Sequence, residues 1–147
     1  MTGRNLWLVA GGGLSAIAAM LHIGVILGGP NWYRFFGAGE AMARMAERGD
    51  PIPAIVTAGI AIVLAVWSAY AFAGAGLIRR LPLMRTALVA ISAIYLVRGL
   101  LIVPLMLQPS PTQFDIWSSL IVLGYGAVYA IGTARAWPAL SLKESRV

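Results

Sequence analysis

Of the 147 residues, 60% are hydrophobic and only 11% are charged, which excludes an ordinary soluble domain and is typical of an integral membrane protein. The formal charge of +6 does not indicate nucleic-acid binding, because the basic residues lie at the ends of apolar runs. Cysteine is absent, which excludes disulfides, thiol redox chemistry and thiolate metal sites.

Four apolar runs are each long enough to cross a membrane as a helix, for which about 20 residues suffice. They cover residues 6–28, 52–78, 83–107 and 113–137. Most of the links between them are short, and short links favour antiparallel neighbours. We therefore predict an all-α integral membrane protein, a single domain over residues 1–147, whose four transmembrane helices form an antiparallel bundle.

Small residues recur at helical spacing along the first run, at Gly11, Ser15 and Ala18, and His22 continues the series. Such a stripe permits the close approach of another helix. It predicts that His22 faces packed protein rather than lipid. Because the stripe would serve equally between helices of one chain and between chains, a homo-oligomer is one of the expected assemblies.

The link after the first run is too polar to cross a membrane and too patterned to be disordered. Residues 32–36 are mostly aromatic, as is common at the level of the lipid headgroups. Over residues 38–48, Glu40, Arg44 and Glu47 share one helical face, and Glu40 and Arg44 have the i, i+4 spacing of an ion pair. We predict an amphipathic interfacial helix over residues 38–48.

Two local patterns predict where helices begin. Asp50 and Pro51 precede the second apolar run as an N-cap and a first helical residue. Thr112 and Asp115 have the spacing of a capping box at the start of the fourth run. Helix capping therefore explains the Asp115 carboxylate as well as a binding site would.

The orientation in the membrane follows from the Lys and Arg residues that flank the spans. With four spans, the two termini and the link near residue 80 share one side, which carries seven basic residues against three on the other side. The seven are Arg4, Arg79, Arg80, Arg85, Arg135, Lys143 and Arg146, and the three are Arg34, Arg44 and Arg48. Because Lys and Arg favour the cytoplasmic side, we predict a plasma-membrane or inner-membrane protein with both termini cytoplasmic and the interfacial helix outside.

Arg98 lies near the middle of the third run. A charge at that depth costs at least about 2.5–3.5 kcal/mol on insertion scales, so it should face protein or water. Tyr95 lies one turn before it on the same face, and His22 lies at a similar depth in the outer half of the first run. Alternatively, Arg98 extends to the headgroups or bonds carbonyls such as that of Leu100, which Pro104 leaves without a helical partner.

We hypothesise a polar pocket that opens to the outer leaflet, with ligand-binding residues His22, Arg98, Tyr95, Glu40, Asp115 and Trp117. Either Glu40 or Asp115 would act as a lid. The pocket requires that the first and third helices be neighbours, which the sequence does not decide. A single His without Cys or an acidic cluster excludes an ordinary metal site, and no phosphate-binding loop is present, so we expect no metal and no cofactor.

Three classes of function are compatible with these residues. In the first, the protein binds a small amphiphile, a membrane lipid or another anionic ligand from the outer leaflet, with Arg98 as counter-charge. In the second, it is an accessory subunit of a larger membrane complex. In the third, it is an enzyme in which His22 acts as acid or base, and this class ranks last because only Glu40 or Asp115 could supply a second titratable group.

Overall fold

A computed structural model describes residues 4–107, 109–110 and 112–141 of the chain. These residues are predominantly helical, and no strand occurs among them. Residues 108 and 111, between the third and fourth runs, lie outside the described residues, and so does the tail that carries Lys143 and Arg146. The helices are α1 (Leu6–Gly28), α2 (Pro30–Phe35), α3 (Glu40–Glu47), α4 (Ile52–Gly74), α5 (Met84–Leu100), α6 (Ile102–Met106) and α7 (Gln113–Ser141).

Four helical stretches in the described part of the chain are long and apolar enough to cross a membrane. They are Leu6–Gly28, Ile52–Gly74, Met84–Met106 and Gln113–Leu140, and the third combines α5 and α6. The expectation of an all-helical chain with four potential spans is therefore confirmed. By length and composition this is an integral membrane protein.

The second span is shorter than the predicted 52–78. It begins as expected, because the Asp50 carboxylate accepts a hydrogen bond of 2.9 Å from the N–H of Ile52. It ends at Gly74 because Gly76 adopts a left-handed φ of 79°. The N–H of Leu77 then bonds the carbonyl of Phe72 at 2.9 Å, the pattern of a Schellman motif, and the helix cannot continue.

The third span is interrupted at Leu101, where the sequence predicts a continuous helix over residues 83–107. Pro104 has no N–H to donate to the carbonyl of Leu100, so the helical ladder loses a bond at this point and α6 starts anew. At the other end, α5 begins at Met84. The fourth span continues beyond the predicted residue 137 and includes Pro138 near its end.

The link between the first two spans contains two helices instead of the one predicted over residues 38–48. The short helix α2 begins at Pro30, a residue favoured at the first helical position, and α3 covers only Glu40–Glu47. Between them the chain turns through Gly37 and Gly39, both with positive φ. The turn allows α2 and α3 to pack against each other.

Contacts divide the chain into two units. The first unit comprises residues 1–14 and 67–147, and the second unit comprises residues 15–66. The residues of α1 and α4 are therefore shared between the units.

In the first unit, α5 and α7 are antiparallel and nearly touch through glycines. A Cβ atom on Gly99 would lie 2.5 Å from Cα of Leu123, and one on Gly126 would lie 2.8 Å from the backbone nitrogen of Leu96. Because these two positions carry no side chain, the backbones of α5 and α7 approach closely. In a membrane the hydrophobic effect does not drive helices together, so such close approach stabilises the pair through dispersion contacts.

The N-terminal part of α1 packs in the same way in the first unit. Leu8 is fully buried, and its side chain fills the space beside Gly74 and Gly132. The Asn5 amide donates a hydrogen bond of 2.7 Å to the carbonyl of Gly132. Gly11, in the predicted small-residue stripe, lies against the ring of Tyr129, where a Cβ atom would be 2.9 Å from a ring carbon.

The second unit has its own apolar cluster. Val25 from α1, Tyr33 from α2 and Ala43 from α3 are buried together, with Phe36 and Met42 packed against them. Ala43 is fully buried, whereas the charged side chains of Glu40, Arg44 and Glu47 on the same helix are exposed. The cluster therefore holds the two link helices against the end of α1.

Candidate functional site

Arg98 projects from the last turn of α5 onto the surface of the first unit. Its side chain is exposed, although it lies within the third candidate span. Ser119 of α7 hydrogen-bonds the guanidinium of Arg98. Ser119 lies six residues after Gln113, the first residue of α7, and six residues correspond to about 9 Å along the helix axis. The guanidinium is therefore some two turns from the end of the span.

The guanidinium of Arg98 has one hydrogen-bond partner among the described residues. Its Nη1 donates to the hydroxyl of Ser119 at 3.3 Å, and Ser119 is fully buried at the α5–α7 contact. No carboxylate in the described part of the chain forms an ion pair with Arg98. A hydroxyl carries no charge, so Ser119 does not neutralise the guanidinium of Arg98.

Tyr95 lies one turn from Arg98, but its ring is buried in an aromatic cluster. The Tyr95 cluster consists of Trp67, Tyr95, Tyr125 and Tyr129, with ring centroids of the other three at 4.9, 5.5 and 5.3 Å from Tyr95. The hydroxyl of Tyr129 donates to the carbonyl of Trp67 at 3.2 Å. Tyr95 therefore packs α5, which also carries Arg98, against Trp67 of α4 and the two tyrosines of α7.

Asp115 takes part in the predicted capping of α7. Its N–H donates to the Thr112 hydroxyl at 3.1 Å, and its carboxylate accepts a hydrogen bond from the same hydroxyl. Asp115 lies one turn before Ser119 on the same face of α7, yet it makes no ion pair with Arg98. Trp117 is exposed, with 61% of its surface accessible, as expected for a membrane-interface anchor.

His22 belongs to the second unit. Its Nδ1 lies 2.7 Å from the carbonyl of Ala18, one turn earlier in α1, so this nitrogen carries the proton. The other ring nitrogen, Nε2, is then the acceptor in a neutral imidazole. No carboxylate in the described part of the chain hydrogen-bonds or pairs with His22.

Glu40 is held by arginines on both sides in the second unit. The expected pair with Arg44 is present at 3.1 Å. In addition, Arg34 at the end of α2 binds both carboxylate oxygens of Glu40, at 2.8 and 2.9 Å, and reaches Glu47 at 2.8 Å. We call this set of Arg34, Glu40 and Glu47 the Arg34 clasp, because one guanidinium joins both ends of α3 to α2.

The two arginines hold the pKa of Glu40 well below its usual range, at about 2, mainly through the hydrogen bonds from Arg34 and then from Arg44. About half of the surface of the Glu40 side chain is accessible to solvent, so its ion pairs are screened by salt. The folded pKa lies below the ordinary value of 4.5, so the stabilisation is complete above pH 4.5 and is lost as the pH falls towards 2.

We expect the stability of α3 to decrease as the pH falls from 4.5 towards 2. Hydrogen-exchange protection of the α3 amides, corrected for the intrinsic rate, should be constant from pH 7 to 5 and decrease between pH 4.5 and 2.5. Arg34→Gln should lower protection at neutral pH and remove most of the pH step, whereas Arg48→Gln is the matched control because Arg48 makes no ion pair in the described residues. Equal profiles for the two variants would contradict the clasp.

Three partners at these sites were not predicted. Ser119 for Arg98, Arg34 for Glu40, and the rings around Tyr95 all come from different helices. Helical periodicity relates residues of one helix only, so no signal in the sequence pointed to these pairs. Among the described residues, no group of three His, Asp or Glu side chains is placed to hold a metal ion.

Comparison with known proteins assigns no family: no protein-family model, curated protein or solved structure matches the chain. The described geometry defines an all-helical membrane protein with an exposed cation in one span.

Proposed function

We propose that the protein binds a small anionic amphiphile, such as a lipid with a phosphate or carboxylate head, at Arg98. One observation carries the proposal: the Arg98 guanidinium is exposed within a candidate span and no described carboxylate neutralises it. A charge facing hydrocarbon is costly. An anionic head at this position would remove that cost through charge-assisted, bidentate hydrogen bonds.

The surroundings of Arg98 suit the remainder of such a ligand. Ile94 and Leu101 are exposed, at 50% and 46%, and each lies about one turn from Arg98 on the same side of the helix. An alkyl chain lying along them would stay in an apolar environment while the head reaches the guanidinium. Ser119 steadies the guanidinium by accepting a hydrogen bond from Nη1.

The proposed setting is an antiparallel bundle of four transmembrane helices in the plasma or inner membrane, with both termini cytoplasmic. Support comes from contacts in the first unit: Arg80 donates to the carbonyl of Ala139 at 2.8 Å, and Arg85 lies over the ring of Trp137. These contacts gather basic residues at the end of α7, the pattern of a cytoplasmic side. In this setting α3 is an interfacial helix, with Ala43 facing its apolar cluster and the charges of the Arg34 clasp facing water.

The test uses the full chain purified in mild detergent, with bound lipids identified by native mass spectrometry. Arg98→Gln should reduce retention of the anionic amphiphile by about tenfold, the loss expected for charge-assisted hydrogen bonds. Ser119→Ala should cause a smaller loss, because only the positioning of the guanidinium changes. Arg80→Gln serves as control at the other end of the unit. If Arg98→Gln retains the same ligand to the same extent, this function is wrong.

The same exposed cation supports one other candidate, an accessory subunit of a larger membrane complex. In that case a carboxylate of another subunit would neutralise Arg98. The wild-type chain would then migrate as a large complex in mild detergent, and Arg98→Gln would release it as a smaller species. Migration as a small species with bound anionic lipid would exclude this candidate.

A further inference from the structure

An acid lies one helical turn from the hydroxyl that binds Arg98. Asp115 precedes Ser119 by four residues in α7, and residues four apart on a helix share one face, with Cβ atoms about 5–6 Å apart. Ser119 accepts the hydrogen bond from Arg98. The Asp115 carboxylate and the Arg98 guanidinium therefore belong to one polar region of the first unit, which we call the Arg98–Asp115 region.

The two opposite charges of this region do not pair with each other. No ion pair within the described ranges includes Arg98 or Asp115. Arg98 donates a hydrogen bond to the hydroxyl of Ser119, and the carboxylate of Asp115 accepts one from the hydroxyl of Thr112. A hydroxyl orients a charged side chain but carries no charge itself. The region therefore presents one cation and one anion, each oriented by its own hydroxyl.

The carboxylate of Asp115 can accept further hydrogen bonds. A carboxylate has about four acceptor positions, and the hydroxyl of Thr112 occupies one of them, on Oδ2. Asp115 is only partly buried, so a donor can reach the carboxylate from outside the chain. The guanidinium of Arg98 is likewise exposed and has N–H groups beyond the one that Ser119 accepts.

The charged residues of the tail are too far along the chain to neutralise this region. They follow Ser141, the last residue of α7, by at most five positions, and five fully extended residues span about 18 Å at most. Ser119 lies 22 residues before Ser141, which is about 33 Å along the helix, and Asp115 lies further still. The tail therefore cannot pair with Arg98 or Asp115.

The acid lies nearer to the end of its span than the cation does. Asp115 is two residues after the start of α7, whereas Ser119, beside Arg98, is six residues after it. Residues 99–107, which lead from Arg98 to the same end of the third span, have no polar side chain. A head group that extends from Arg98 towards the surface therefore meets Asp115 as its next charged partner. The carboxylate would repel a second anion there and attract a cation.

We propose that the head of the ligand is zwitterionic: its phosphate binds the guanidinium of Arg98, and its ammonium group binds the carboxylate of Asp115. This inference rests on the proposed function, in which Arg98 binds the anionic group of an amphiphile, and it adds the cation that follows this group. Phosphatidylethanolamine has this chemistry, because two carbon atoms join its phosphate to an ammonium with N–H donors. Its chains lie towards Ile94, on the apolar side of Arg98.

The experiment titrates the full chain in mild detergent with three lipids and measures binding by native mass spectrometry. Phosphatidylethanolamine has both charges, phosphatidylcholine has a cation without N–H donors, and phosphatidylglycerol has the phosphate alone. Wild type should bind phosphatidylethanolamine about tenfold more tightly than phosphatidylglycerol, the gain expected for a charge-assisted hydrogen bond. Phosphatidylcholine should bind less tightly than phosphatidylethanolamine.

Asp115→Asn tests the residue that should recognise the ammonium. An asparagine oxygen can still accept from the Thr112 hydroxyl, so the start of α7 is preserved while the charge is lost. This variant should bind phosphatidylglycerol at least as well as wild type and should lose the preference for phosphatidylethanolamine. Asp50→Asn is the matched control, because it also removes one acid at a helix start, and it should leave the preference unchanged.

Arg98→Gln separates this inference from the proposed function. It should weaken all three lipids, because each of them has the phosphate. If it does so while wild type shows no preference for phosphatidylethanolamine over phosphatidylglycerol, the ammonium site is wrong and the binding of an anionic group at Arg98 stands. A preference that persists in Asp115→Asn, or an equal loss of both lipids in that variant, would also overturn the ammonium site. Unchanged binding of every lipid in Arg98→Gln would overturn the proposed function itself.

Discussion

Replacing Gly99 by alanine is expected to destabilise the helix packing of the first unit by about 1–3 kcal/mol or more, the range for overpacked cores. A Cβ atom at this position would lie 2.5 Å from Cα and 2.6 Å from the backbone nitrogen of Leu123. A backbone cannot move aside as a flexible side chain can. The helices α5 and α7 would have to separate, and the dispersion contacts along their interface would weaken.

The matched control is Gly124→Ala on the facing helix, where a Cβ atom would meet nothing within 4 Å. Alanine favours a helix over glycine by about 1 kcal/mol, so this substitution should be neutral or stabilising. The measurement is unfolding of the purified chain by a denaturing detergent, followed by loss of tertiary structure, because helices persist in unfolded membrane proteins. If both variants unfold alike, the close contact of α5 and α7 is wrong.

Tyr129→Ala is expected to destabilise the first unit by about 3 kcal/mol, towards the lower end for aromatic-to-alanine changes. Tyr129 is fully buried, its ring lies against Gly11 and against Tyr95, and its hydroxyl bonds the carbonyl of Trp67. The truncation leaves a cavity at a position where three segments of the chain meet. The expected destabilisation is not larger because the helices of the unfolded protein remain in lipid or detergent, so little apolar surface is transferred to water.

Tyr125→Ala provides the comparison for this prediction. Tyr125 contacts the same ring of Tyr95 at a centroid distance of 5.5 Å, but it is only partly buried, so its removal should cost about half as much. Tyr129→Phe isolates the hydroxyl and should cost about 1 kcal/mol. The same detergent unfolding assay ranks the three variants. A Tyr125 effect equal to or larger than that of Tyr129 would contradict the described burial.

Predictions based on neighbours along one helix were confirmed. Asp50 caps the second span, Thr112 caps α7, and Glu40 pairs with Arg44. Each of these pairs is at most four residues apart, so helix geometry alone brings the partners together. Helix ends were predicted less accurately: the end of the second span before Gly76 was not predicted, and the effect of Pro104 on the carbonyl of Leu100 was inferred without the interruption of the third span at Leu101.

The predicted pocket depends on residues of different helices and not on neighbours along one helix. That His22 and Arg98 share one pocket stays a prediction, and so does a lid formed by Glu40 or Asp115. In the structure Glu40 is held by Arg34 and Arg44, and Asp115 is bonded to Thr112, so both acids already have partners. Periodicity placed Tyr95 and Arg98 on one face, but it could not indicate that one is buried and the other exposed.

By itself, the sequence determined the class of protein and the number of potential spans, because apolar length and scarcity of charge are properties of the chain alone. It also determined that a cation lies within the third span. Only the tertiary structure decided which groups stand beside that cation and which arginine lies on Trp137. The reason is physical: partners on different helices are chosen by side-chain shape and by the close approach that glycines such as Gly99 allow, and helical periodicity carries no information about either.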